Sequence, residues 1–233
     1  MSLSATLESQ ETAELPAGKL LHADVAARLR AMILTGELQP GDRLNERVLC
    51  NSLAVSRTPL REAFRVLAAQ RLIQLHPNRG ASVVELSEQD IRHLFEVMTG
   101  LEGLCGSLAA TRVTDQQLDE IRALHFEMLA AHARRDLRSY YELNQRIHQA
   151  ISLAADNPAL FETYEAINTR IQHLRFQSNF NRSKWDAAVV EHGKIIDALS
   201  ARDGVLLRQL LESHLINKRD TVLAAMHEQS LSD

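Results

Sequence analysis

The chain has 233 residues, 45% apolar and 24% charged, with only 9 glycines and 5 prolines and a formal net charge of −4. These figures describe a folded chain with a sizeable core, most simply two domains, and exclude collagenous, low-complexity and repeat-linker proteins. No apolar run approaches the ~18 residues of a membrane span, and the start lacks the basic-then-apolar pattern of a secretory signal, so a cytoplasmic protein with no membrane partner is expected.

The charge is uneven along the chain. Residues 20–85 carry nine arginines against six carboxylates, a net +3, whereas residues 86–233 carry a net −5. A small arginine-bearing unit ahead of a larger acidic one is the asymmetry expected when only the first meets phosphate. Cys50 and Cys105 form no Cys-x-x-Cys pair, which argues for two small core residues over a disulfide or a zinc knuckle.

Residues 1–18, rich in Ser, Thr, Glu and Ala, predict a flexible tail. Val25, Leu29, Met32 and Ile33 recur at helical spacing up to Gly36, a helix stop, and Pro40-Gly41 marks a turn. Asn45 caps a short helix whose buried side is read as Val48, Leu49 and Leu53. After Ala54-Val55-Ser56 another helix begins, with Thr58 read as N-cap and Pro59 as its first residue. Two short helices across so tight a turn predict a helix-turn-helix. Leu60, Phe64 and Leu67 form the packing stripe of the second, and Arg57, Arg61 and Arg65 fall four apart on another face. The stretches 72–75 and 81–84 read as strands of a hairpin with a basic tip, a wing. From residue 87 onward the pattern is all-helical. Six helices are predicted near 87–111, 114–134, 136–154, 158–178, 182–200 and 203–227, with breaks at Thr114/Gln117, Asn157-Pro158, Asn181 or Ser183, and Asp203-Gly204. The fold class is therefore mainly α: a winged helix-turn-helix over 19–85 and a helical bundle over 86–228.

An arginine row is by itself as well explained by solvation as by function. At the start of the second helix of a helix-turn-helix, however, it enters the major groove, where arginine meets guanine O6 and N7 bidentately and the helix N-terminus holds phosphate. Histidine offers a second constellation. Asn144 and His148 share one helical face, and His192 and His214 sit on two later helices. Among ten histidines such a pairing also arises by chance, so spacing alone leaves metal ligands and ordinary core histidines both open.

The stretch 38–84, with SRTPLREAFRVL at its centre, resembles the winged helix-turn-helix of GntR-type transcription regulators. LFEVMTGLEGLCGSLAA (94–110), NQRIHQAIS (144–152), EHGKIIDALSARD (191–203) and LLESHL (210–215) resemble the FCD domain of the FadR subfamily, and six helices match its VanR-like branch. The resemblance implies a homodimeric, ligand-responsive regulator, not an enzyme, that binds a pseudopalindromic double-stranded operator. It assigns DNA contacts to Arg47, Arg57, Thr58, Arg61 and Gly80. Ala54 departs from the family's glycine in the turn, and Cys50 from a buried alanine. It also assigns His148, His192 and His214 to a divalent metal (Zn, Ni or Mn), with Asn144 in place of the usual Asp. Imidazole binds metal only unprotonated, so occupancy is expected to fall below pH ~6.5. The family's effector-binding arginine after LFEV is replaced by Met98-Thr99. Arg146, Arg170, His173, Arg175 and Gln177 are the remaining candidates for a small acidic effector. The competing readings are a helical metal-dependent hydrolase, which lacks a His-Glu-x-x-His general base, and a metal sensor whose ion is the signal.

Overall fold

The computed structural model describes residues 17–77, 79–177 and 182–230. Most of the expected tail, the wing-tip Asn78 and the break at Asn181 thus lie outside the described residues, while Ala17 and Gly18 already belong to the first helix. The elements run α1 (Ala17–Thr35), β1 (Arg43–Leu44), α2 (Glu46–Leu53), α3 (Arg57–Ala69), β2 (Ile73–His76) and β3 (Gly80–Val83). Six long helices follow: α4 (Glu88–Arg112), α5 (Asp115–Ala133), α6 (Leu137–Ala154), α7 (Pro158–Gln177), α8 (Arg182–Ser200) and α9 (Gly204–Ser230).

The first six elements form a winged helix-turn-helix. Val25, Leu29 and Ile33 of α1 pack on Leu60, Phe64 and Leu67 of α3 in one apolar core. The antiparallel sheet has the order β1-β3-β2, with His76 opposite Gly80 across the wing turn. Gly80 has φ 83°, and a Cβ there would meet only Leu44 O at 3.9 Å, so it is the left-handed backbone that favours glycine. Strand β1 was not expected, since two residues carry no periodicity. Asn45 caps α2 by accepting from Arg47 N at 3.0 Å and Val48 N at 3.2 Å.

Two local readings are corrected. Ser56, extended at φ −78° and ψ 170°, is the N-cap of α3, so Thr58 lies inside the first turn. Pro59 then sits two positions later than expected, still among the first four residues whose N–H groups lack an intrahelical acceptor. Val48 is 56% exposed while Leu49 is 5% exposed, because adjacent positions on a helix point about 100° apart.

Ala54, the C-cap of α2, has φ 54° and ψ 44°. A left-handed non-glycine residue costs about 1–2 kcal/mol, and glycine gives back about 0.5–1 through the entropy of the unfolded chain. Ala54→Gly is therefore expected to stabilise the DNA-binding unit by about 0.5–1 kcal/mol; a melting temperature that falls would show that this corner carries no strain.

In the helical domain the boundaries are set by caps. Thr114 and Gln117 form the expected capping box, and Ser87 and Asp90 form another. Asn157 Oδ1 accepts from Leu160 N, and Asp203 Oδ1 from Leu206 N. Helix α4 runs down the middle against α6, α7, α8 and α9. Its approach to α9 is close at Gly106, where a Cβ would lie 2.5 Å from Leu211 Cδ1. Cys105 is buried there, with Sγ 3.2 Å from Ser152 Oγ. The two units touch where α1 packs against α7. Among the described residues no helix is long and apolar enough to cross a membrane.

Candidate functional site

Two places in the molecule concentrate functional chemistry. The first is a groove between the start of α2, the start of α3 and the wing, lined by Arg47, Arg61, Arg65, Phe64, His76 and Gly80. Burying Leu60, Ala63, Phe64 and Leu67 turns the other side of α3 outward, so Arg57, Thr58, Arg61 and Arg65 are exposed with Arg47 beside them. Arg61 Nε donates to both oxygens of Glu46, at 3.0 and 3.1 Å. Glu46 raises the guanidinium pKa by hydrogen bond and charge. Donation through Nε leaves the Nη edge for a base or phosphate. Glu46 stands 15 residues from Arg61, a distance at which sequence spacing carries no signal. Arg65 pairs with Glu62 at 2.8 Å.

The second place is inside the helical domain. His148 from α6, His192 from α8 and His214 from α9 are at most 3% exposed. Their ring centroids are 4.9–5.3 Å apart, and one nitrogen from each lies within 4.8 Å of the others. Asn144 is buried one helical turn before His148.

Carboxylates orient two of the rings. His214 Nδ1 donates to Glu191 Oε2 at 2.6 Å, and Asn217 Nδ2 donates to Glu191 Oε1 at 2.6 Å. His148 Nδ1 lies 2.9 Å from Glu102 Oε2, an ion-pair distance without linear hydrogen-bond alignment. Arg175 Nη1 donates to Glu102 Oε1 at 3.3 Å and to Asn168 Oδ1 at 3.1 Å. With Nδ1 turned to a carboxylate, Nε2 carries the lone pair. The Nε2 atoms of His148 and His214, and both ring nitrogens of His192, are buried without a hydrogen-bond partner.

Burial sets the protonation of His192 and His214. It lowers the His214 pKa to about 4 against the opposing pull of Glu191, and that of His192 falls well below the usual imidazole range, helped by the neighbouring histidines. Burial pushes the Glu102 carboxyl up, but His148 and Arg175 beside it outweigh that and hold it at about 2. Lys218, one turn beyond His214, is lowered to about 7 by burial and then by the charge of Arg175. The centre brings unpartnered nitrogens of three imidazoles together, two of them on rings that burial keeps neutral, a donor set that fits a borderline divalent cation.

The expected effector residues do not gather at one place. Arg175 is 1% exposed beside the histidine centre. Arg146 is exposed on α6, and Arg170 and His173 face the DNA-binding unit. The side chain of Gln177 lies outside the described residues. Sequence reasoning missed Glu102, Glu191 and Lys218.

A winged helix-turn-helix joined to a six-helix domain with a buried histidine centre defines a class of DNA-binding regulator. Residues 21–83 match the family described as bacterial regulatory proteins, gntR family, and residues 93–217 match the FCD domain. The chain belongs to the FCD-containing GntR family of transcription regulators, which join a DNA-binding head to an effector-binding helical domain. It is 28% identical over 202 residues to the HTH-type transcriptional repressor RspR of Escherichia coli, covering 87% of this chain and 89% of that one. It is 29% identical to a probable D-xylose utilization operon transcriptional repressor of Paenarthrobacter nicotinovorans, covering 84% and 88%. The fold is shared with E. coli McbR/YncC, with a TM-score of 0.78 at 22% identity over 89% of this chain and 98% of that one. A GntR regulator from Rhodococcus sp. RHA1 has a TM-score of 0.73 at 24% identity, covering 88% and 98%.

Proposed function

We propose that Arg47, Arg57, Thr58, Arg61 and Gly80 contact operator DNA, and that the helical domain holds a divalent cation through His148, His192 and His214, with Asn144 as a weaker oxygen ligand. The observation that carries the second part is the set of buried, unpartnered imidazole nitrogens within 4.8 Å of one another. When bound, the ion supplies a Lewis-acidic anchor for an effector carboxylate. Arg175 and Lys218 add positive charge beside the same space, so a small acid is the effector class that the site favours. Glu191 accepts from His214 Nδ1 and Glu102 lies at ion-pair distance from His148 Nδ1, which leaves the Nε2 atoms free to ligate. Zn, Ni and Mn all suit three imidazoles with open positions.

The DNA part is tested with an operator selected from random duplexes. Arg57→Ala and Arg61→Ala are each expected to weaken binding by about 1–3 kcal/mol, roughly 5- to 150-fold, with unchanged circular dichroism. Wild-type affinity in both variants would remove α3 from the interface.

We infer also that the regulator is a homodimer on a pseudopalindrome, since one small head reads few base pairs. Helix α4 supports this: Val97 and Leu104 are 49% and 42% exposed one heptad apart, and a Cβ on Gly100 between them would meet nothing within 4 Å. Light scattering is expected to give a dimer for the wild type and a monomer for Val97→Asp/Leu104→Asp. A wild-type monomer that footprints a single half-site would end this reading.

A further inference from the structure

Helix α7 faces two ways. Asn168 and Arg175 turn inward toward Glu102. Arg170 and His173, about 140–160° away around the helix, line a crevice against the DNA-binding unit together with Arg71, Ile33, Leu72 and Val83.

Two guanidinium groups therefore meet at the junction, one from each unit. Burial and then the charge of Arg71 lower the Arg170 pKa, with Asp90 opposing. Asp90 is already engaged by the N-cap of α4, accepting from Ser87 N at 3.1 Å and Ser87 Oγ at 2.5 Å. Arg170 Nε and His173 Nδ1 are buried without a hydrogen-bond partner, and His173 is only 8% exposed. Arg71 reaches the crevice from a left-handed backbone, φ 57°. Like charges and unmet buried nitrogens in one gap oppose folding twice, and a negatively charged acceptor would relieve both.

We propose that this crevice binds a small oxyanion, a carboxylate or phosphate group, that bridges Arg71 of the DNA-binding unit and Arg170 of the helical domain. The crevice is narrow, with room for little more than a water-sized group, so it admits at most the oxygens of a small ion, with the exposed Arg71 at its edge, and excludes a bulky metabolite. Arg71 follows the C-terminal end of α3, roughly 20 Å along that helix from Arg57 at 1.5 Å per residue. The anion and the operator thus use opposite ends of α3, and the histidine centre lies beyond the other face of α7. Bound there, the anion ties the reading head to α7.

The test is thermal melting of the full chain at constant ionic strength, with chloride replaced stepwise by inorganic phosphate or by malonate. The wild type is expected to gain about 3–6 °C, saturably, at tenfold excess over the half-saturating concentration. Arg170→Gln and Arg71→Gln should each lose this response, yet melt no lower than wild type in chloride, because each removes one of two like charges. His192→Ala should keep the response, which separates the crevice from the histidine centre. A response to phosphate alone, to malonate alone or to both supports the site and identifies its ligand. A flat or non-saturable response in the wild type, persistence in both arginine variants, or loss in His192→Ala alone would overturn it.

Discussion

Phe64→Ala is expected to destabilise the DNA-binding unit by about 3–5 kcal/mol, the cost of emptying a large buried site whose walls relax only in part. Phe64 is 3% exposed and packs in the one core that α1, α2, α3 and the sheet share, with Leu29, Leu44, Leu49 and Ile73 among its members. A unit of this size holds only a modest reserve of stability, so the loss is most of it. Calorimetry should show a transition for the head displaced far below that of the helical domain, and operator binding should disappear at the temperature where the head melts. An unaltered thermogram would mean that the core closes without Phe64. Arg61→Ala, on the exposed face of the same helix, is expected to leave the melting of the head in place.

Removal of a bound divalent cation is the second large effect. For Zn, Ni or Mn at a thousandfold excess over Kd, binding to the folded state alone contributes about 4 kcal/mol, which a strong chelator should abolish. His192→Ala removes one of the three imidazoles and should eliminate the metal-dependent rise in melting temperature, while Asn144→Asp should enlarge it by restoring a charged oxygen. The pH dependence has a definite sign. Protons compete with the metal for the same imidazole nitrogens, so occupancy should fall as the pH is lowered; burial, which holds His214 at about 4 and His192 well below the usual imidazole range, moves the competition at those two ligands to more acid pH. Protein that is metal-free after gentle purification, and whose melting curve ignores all three ions and the chelator, would leave the histidines as core residues.

Much of this was readable from residue order, for physical reasons that differ by element. The six long helices begin and end within a few residues of their expected bounds because caps such as Thr114/Gln117 and Asp203 act locally. The arginine row and the three histidines were legible as residue types on known faces. Glu102 was legible in principle: it continues the stripe Ile91, Phe95, Met98, Cys105 at alternating steps of four and three, and a carboxylate on a buried stripe requires partners. Glu191 was not, since its value depends on the approach of His214 from another helix. The separation of Arg170 from Arg175 on α7 was likewise invisible, because the register that turns one toward the DNA-binding unit is set by α1.

The carboxylates threaded among the groove's arginines bear on how such a protein finds its target. Glu46 sits on Arg61 and Glu62 on Arg65, so two of the four arginines at this face are compensated locally and the charge offered to a generic phosphate backbone is smaller than the arginine count. Fewer counterions should then be released on random duplex than the arginine count implies, and attachment there is expected to be correspondingly weaker and less salt-dependent. A long arginine already held by its glutamate also surrenders less rotational freedom when a guanine meets it. Time spent on wrong sequence is expected to be shortened, with preference for the right one coming more from base edges than from charge.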